Sequence, residues 1–159
     1  MEKCKKIIFV SMNDTCRGPM AEVVMKMLMS GKEIEIVSRG LVVLFQEPCN
    51  PKAIAVLRGK GIILDNRVSV ELSEDDITED TLILAIGIKE KEILIEKYDP
   101  KNLYTLSEFA GVAGEMTDPY GKEIEAYKQC LDELFDRLKL AAERIKDVEE
   151  KKEDDSNRM

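Results

Sequence analysis

The feature that most limits the folds open to this chain is its alternation of short β-prone runs with longer helical stretches. Lys6 to Val10 is one such run, followed by a polar loop, Pro19, and an apolar-rich stretch from Met20 to Met29. This predicts strand, loop, helix, with Pro19 suited to the first helical position. Ile34 to Val37 predicts a second strand ending at Ser38-Arg39-Gly40, and Pro48 to Pro51 punctuates the chain before another helix. That helix runs through Ala53, Val56 and Leu57 and closes at Gly61.

Leu82 to Ile86 is a continuous apolar run of the kind found in strands covered on both faces. Lys89 to Lys97 reads as a helix and Leu103 to Leu106 as a fourth short strand. Ile124, Tyr127, Leu131, Leu134, Leu138 and Ile145 recur at steps of three, four or seven, which predicts one long helix with a single buried stripe. Residues 1–150 then form one domain, with 151–159 a charged flexible tail. Strands alternating with helices imply right-handed crossovers, hence an α/β fold: a doubly wound, Rossmann-like, four-stranded parallel sheet with helices on both faces. Ligands in such folds sit beyond the carboxyl ends of the strands. The loop from Ser11 to Gly18 lies there, before a helix whose amides and dipole favour an anion.

Composition removes many chemistries. The chain has no histidine, which excludes Ser-His-Asp and Cys-His catalysis, HExxH zinc sites and histidine as a general base. Its four cysteines contain no CxxC pair and are too widely spaced for a local zinc knuckle, so no metal is expected and free thiols in a reducing cytoplasm fit. No run approaches eighteen apolar residues, and the net charge of −8 argues against nucleic-acid or anionic-membrane partners. Nothing in the sequence sets an oligomeric state.

The segment Ser11-Met12-Asn13-Asp14-Thr15-Cys16-Arg17-Gly18-Pro19-Met20-Ala21-Glu22 offers consecutive backbone N–H groups and one arginine, the parts of a tetrahedral-oxyanion cradle. It resembles the signature of the low-molecular-weight protein tyrosine phosphatase family, a strand ending in Val that leads into Cys-x-Gly-Asn-x-Cys-Arg-Ser-Pro-Met-Ala-Glu. Val10, Cys16, Arg17, Pro19, Met20, Ala21 and Glu22 match. The likeness continues through Ser38-Arg39-Gly40-Leu41, Pro51-Lys52-Ala53, Leu103-Tyr104-Thr105-Leu106 and Asp118-Pro119-Tyr120. Thr15, Leu103 to Gly111 and the run from Asp118 to Gln129 look most like the bacterial protein-arginine phosphatase branch, where the threonine is associated with choosing phosphoarginine over phosphotyrosine.

The resemblance implies a cysteine thiolate that attacks phosphorus, an arginine that holds the equatorial oxygens and an aspartic acid that protonates the leaving group, without a cofactor. By position, Arg17 and Asp118 are present and Tyr120 lines the pocket mouth, but the nucleophile position is Ser11. A thiol of pKa about 8.5 ionises readily at a helix N-terminus, whereas a serine hydroxyl needs a base. Cys16 is no substitute, because the spacing from Cys16 to Arg17 cannot form a five-residue cradle. The family Gly, Asn and Ser are replaced by Asn13, Asp14 and Gly18. A carboxylate about 4 Å from a bound dianion would cost several kcal/mol at an effective dielectric near 20, unless Asp14 points away as an internal brace.

The expectation is therefore a phosphatase-family protein that is inactive or strongly impaired yet still binds a phosphorylated protein side chain or an inorganic oxyanion. The loop Met12, Asn13, Asp14, Thr15, Cys16 and Gly18 would form the cradle. One alternative is an active phosphatase whose cysteine was exchanged for Ser11 in the laboratory; another is an interaction protein with a collapsed site. Arsenate reduction would need a pair of resolving cysteines near the middle of the chain, and residues 70–95 have none.

Overall fold

The computed structural model describes residues 3–158. Its elements run β1 Lys6–Ser11, α1 Arg17–Leu28, β2 Glu35–Gly40, α2 Pro51–Gly59, a 3-10 turn Glu74–Asp76, β3 Thr81–Ala85, α3 Ile88–Lys97, β4 Leu103–Thr105, α4 Leu106–Ala110 and α5 Ile124–Asn157. The four strands form one parallel sheet in the order β2-β1-β3-β4.

Side chains alternate across β1. Ile7 and Phe9 join the larger core with Met20, Val24, Leu57, Leu131 and Leu138, contributed by α1, α2 and α5. Ile8 and Val10 face the other way, into a smaller core closed by Leu94 of α3. Both faces of the sheet are thus covered, as expected, which is why β1 and β3 read as unbroken apolar runs.

Several boundaries differ from the sequence reading: α1 begins at Arg17, so Pro19 stands third in the helix and not first, and α2 ends at Gly59, short of Gly61. Strand β2 continues through Ser38 and Arg39 to Gly40, because Gly40 still bonds outward: its N–H donates to Val70 O at 2.8 Å and Leu72 N–H donates to its carbonyl at 2.8 Å. Strand β4 stops at Thr105, whose hydroxyl accepts from Glu108 N–H at 3.0 Å while Glu108 Oε1 accepts from Thr105 N–H at 3.0 Å. That capping box turns Leu106 into the start of α4. Residues 151–157, expected to be a flexible tail, continue α5 as exposed helix. Lys151, Lys152 and Glu153 are good helix formers, and the seven residues extend an already nucleated helix without a buried face.

The chain runs from β1 through α1 to β2 on one side of β1 and from β3 through α3 to β4 on the other. Strand order therefore reverses between β1 and β3, which opens a crevice at their carboxyl ends. Ser11 ends β1 there, and Ile86 and Gly87 follow β3.

Candidate active site

The loop after β1 is held from both flanks. Leu41 N–H donates to Ser11 O at 3.0 Å, Val42 N–H to Met12 O at 2.8 Å, and Asn50 N–H to Thr15 O at 2.7 Å. Thr15 Oγ1 donates to Asn13 Oδ1 at 3.2 Å, tightening the turn from within. Asp14 occupies the left-handed region with φ +58°, a conformation that glycine, asparagine and aspartate tolerate best. The loop then enters α1 at Arg17. The residue before it, Cys16, makes no side-chain cap bond, so the helix end stays open to an anion.

Asp14 was expected among the phosphate-binding residues, and its side chain is instead a brace beneath the loop. It is fully buried, with Oδ2 accepting from Arg67 Nη2 at 2.7 Å and from Val70 N–H at 3.0 Å. Arg67 also donates to Asp14 O at 3.3 Å and to Ser38 Oγ at 3.0 Å. The negative charge is thereby neutralised behind the cradle. Asp14 N–H points inward and donates to Ser11 Oγ at 3.1 Å.

Gly18 likewise falls outside the cleft lining. A Cβ there would stand 2.8 Å from Ser11 Oγ and 3.3 Å from Asp14 Oδ1, so the glycine leaves room for the serine hydroxyl. Asp14 Oδ1 is a buried side-chain atom without a hydrogen-bond partner among the described residues.

The remaining expected residues meet in one cleft of about 390 Å³: Ser11, Met12, Asn13, Thr15, Cys16, Arg17, Asp118 and Tyr120. Ser11 is only 6% exposed, at the cleft floor. Arg17 Nη2 lies 3.7 Å from Asp118 Oδ2, joining the floor to a carboxylate whose side chain is 64% exposed. Asp118 Oδ1 accepts from Tyr120 N–H at 3.2 Å, and Tyr120 stands exposed at the mouth. The set can hold a tetrahedral anion on Arg17 and the helix end, and Asp118 can give a proton to a leaving group at the rim.

Cys16 shares the cleft, but burial, reinforced by neighbouring Cys130 and Cys49, pushes its thiol up to about 12. It stays a protonated thiol at neutral pH, 4.0 Å from Met20 Sδ. Among the described residues, no group of three or more histidine, cysteine or acidic side chains is arranged to hold a metal, and no helix is long and apolar enough to cross a membrane.

Sequence reasoning missed Arg67, Glu90 and Glu115. Glu90 and Glu115 line the cleft and Arg67 fixes its loop. No motif singles them out: Arg67 and Glu115 reach the site from irregular segments, and Glu90 from a helix whose charges read as solvated.

Comparison with known proteins places this geometry. The model of the low molecular weight phosphotyrosine protein phosphatase family matches residues 6–153. A protein-arginine-phosphatase of Bacillus subtilis is 34% identical over 145 residues, covering 88% of this chain and 96% of the relative. A low molecular weight protein-tyrosine-phosphatase, PtpB, of Staphylococcus haemolyticus is 32% identical over 131 residues, covering 82% and 92%. Among solved structures, a YwlE mutant from Bacillus subtilis superposes with a TM-score of 0.81 at 32% identity, covering 89% of this chain and 98% of that one. The arginine phosphatase YwlE in a Cys-to-Ser mutant form, with a phosphorylated active-site serine, superposes with a TM-score of 0.81 at 34% identity over 89% and 95% of the two chains. With the family model matched over residues 6–153 and relatives above 30% identity covered almost end to end, the chain belongs to the low molecular weight phosphotyrosine protein phosphatase family.

Proposed function

We propose that this chain binds a phosphorylated protein side chain, phosphoarginine or phosphotyrosine, or a free oxyanion such as phosphate, and hydrolyses it poorly or not at all. The observation that carries the reading is Ser11 on the cleft floor, where the family resemblance expects a cysteine, with no histidine in the chain to act as its base. A hydroxyl so placed cannot reach the ionised state that a thiol of pKa about 8.5 reaches beside an arginine and a helix end. Binding is supported separately by the open cleft, by Arg17 at its floor and by the withdrawal of the Asp14 charge behind the loop. The four free cysteines fit a reducing cytoplasm as its place of action.

The test is a titration of inorganic phosphate or tungstate against the parent and Arg17→Ala, beside a turnover assay of Ser11→Cys with an aryl phosphate and a phosphoarginine substrate. Saturable binding lost in Arg17→Ala, together with turnover gained only in Ser11→Cys, supports the reading; no binding by the parent sinks it. Efficient turnover by the parent also sinks it.

The phosphorylated active-site serine of the YwlE mutant supports a second reading. Here Ser11 Oγ forms a bond to phosphorus as the bond to the substrate nitrogen or oxygen breaks. The leaving group takes the Asp118 proton, and the serine proton passes to solvent. The chain would stall as phosphoserine. Incubation with the phosphorylated substrate would then add one phosphoryl group to the intact mass, located at Ser11.

A further inference from the structure

Beside the anion cradle, the cleft carries a wall of the same charge as the anion it must hold. Glu90 and Glu115 line it together with Asp118. Glu90 lies in the first turn of α3 and is only 4% exposed. Its ordinary duty there would be to cap the helix, yet the first N–H of α3, that of Ile88, is taken by Glu115 Oε1 and not by Glu90. Two nearby donors are committed elsewhere: Lys91 Nζ to Glu108 Oε1 and Oε2 at 2.9 and 3.0 Å, and Ile88 N–H to Glu115 Oε1 at 2.9 Å. Among the described residues the Glu90 carboxylate has no hydrogen-bond or ion-pair partner, and its oxygens, not sealed in the interior, adjoin the cleft.

Gly87 lets the two glutamates converge. A Cβ at Gly87 would stand 2.9 Å from Glu90 Oε2 and 3.3 Å from Glu115 Oε1, so both oxygens approach one point on the wall. Lys89 lines the same cleft as a cation, and Arg17 is already placed against Asp118. Carboxylates lining the same cleft as the cradle repel a bare dianion or an aryl phosphate. The repulsion turns to attraction when the substrate carries positive charge next to phosphorus.

We infer that Glu90 and Glu115 form a cation subsite that selects a phosphorylated guanidinium, the side chain of phosphoarginine, over the neutral ring of phosphotyrosine. The planar guanidinium offers several N–H donors in a fork that matches carboxylate oxygens, which a phenol does not. Glu115, tied to Ile88 N–H, is the fixed half of the subsite, and Glu90 is the half whose partner the substrate supplies. The inference rests on the proposed binding of phosphorylated side chains in this cleft and names which of them fits.

The experiment is calorimetric titration of the parent, Glu90→Gln and Glu115→Gln with phosphoarginine, phosphotyrosine and inorganic phosphate at one ionic strength. The parent binds phosphoarginine more tightly than phosphotyrosine. Each variant loses about tenfold or more in phosphoarginine affinity, the worth of a charge-assisted hydrogen bond, while phosphate and phosphotyrosine bind as well or better. An equal loss for all three ligands, or no loss for phosphoarginine, overturns the subsite. Glu115 is exposed, so its variant keeps the test open should Glu90→Gln fail to fold. A parent that binds none of the three overturns the underlying reading and the subsite with it, whereas one that binds phosphate with no preference for phosphoarginine overturns the subsite alone.

Discussion

Arg67 Nη2 stands 2.7 Å from the Oδ2 of Asp14, tying the loop beneath the cleft to a segment 53 residues further along the chain. This pair sets the loop's shape, because the same arginine also holds Asp14 O and Ser38 Oγ. Replacing Arg67 by Met leaves a fully buried carboxylate without its cation and should cost about 3–5 kcal/mol. Urea unfolding measures the loss, and phosphate titration should show weaker binding in the folded fraction. A cost below about 1 kcal/mol, the size of an exposed pair, would show that the loop keeps its shape unaided.

Gly18 and Ser11 form a second matched pair. Alanine at position 18 puts a methyl group 2.8 Å from Ser11 Oγ, so the serine must shift and lose its bond from Asp14 N–H. Overpacking of this kind costs about 1–3 kcal/mol, which outweighs the gain of up to about 1 kcal/mol from alanine in a helix. The double variant Ser11→Ala/Gly18→Ala removes the clashing oxygen and should recover most of the loss. Purely additive single and double effects would show that the two positions are independent.

The thiols give a prediction in pH. Burial pushes Cys4 and Cys49 up to about 11 and Cys16 and Cys130 up to about 12, against an ordinary 9.0. Each binds its proton more tightly in the folded state, so its contribution to stability is complete below pH 9 and is lost as pH rises through 11 to 12. Denaturation midpoints should be insensitive to these groups up to pH 9 and fall above it. Iodoacetamide at pH 8 should leave Cys16 largely unmodified despite its place in the cleft; alkylation at the rate of a free thiol would contradict its assignment as a protonated, structural group.

Truncation after Glu150 removes helical residues that are exposed on every side. Stability should change by no more than about 0.5 kcal/mol, as for surface changes generally. Helicity by circular dichroism should drop by the share of the residues removed. A large fall in melting temperature would mean that the final turns of α5 pack on something.

What was legible in the sequence followed period and motif. The runs of β1 and β3 and the stripe of α5 could be read because burial on two faces, or on one helical stripe, leaves a repeating apolar pattern. The cradle could be read because its residues are consecutive. Helix α4 was passed over although Thr105 and Glu108 stand at capping-box spacing, a signal that five residues of helix made easy to miss. The burial of Asp14 was left open, since its deciding partner, Arg67, lies in an irregular segment whose position depends on the sheet. Glu90 sits among charged residues of an otherwise solvated helix, and only the fold turns its first turn inward to the cleft.

Strand β1 has a neighbour on each side, with Ser11 paired to Gly40 and Val10 to Ala85. The floor of the cleft is therefore the end of one of the two interior strands of the sheet, and opening it means parting the sheet. Amides of Phe9 and Val10 should exchange with deuterium only through global unfolding. Selection for a foldable chain thus protects the pocket whether or not the reaction is retained. In such a scaffold, catalysis can be lost by one side chain while the shape that recognises a phosphoryl group is inherited intact.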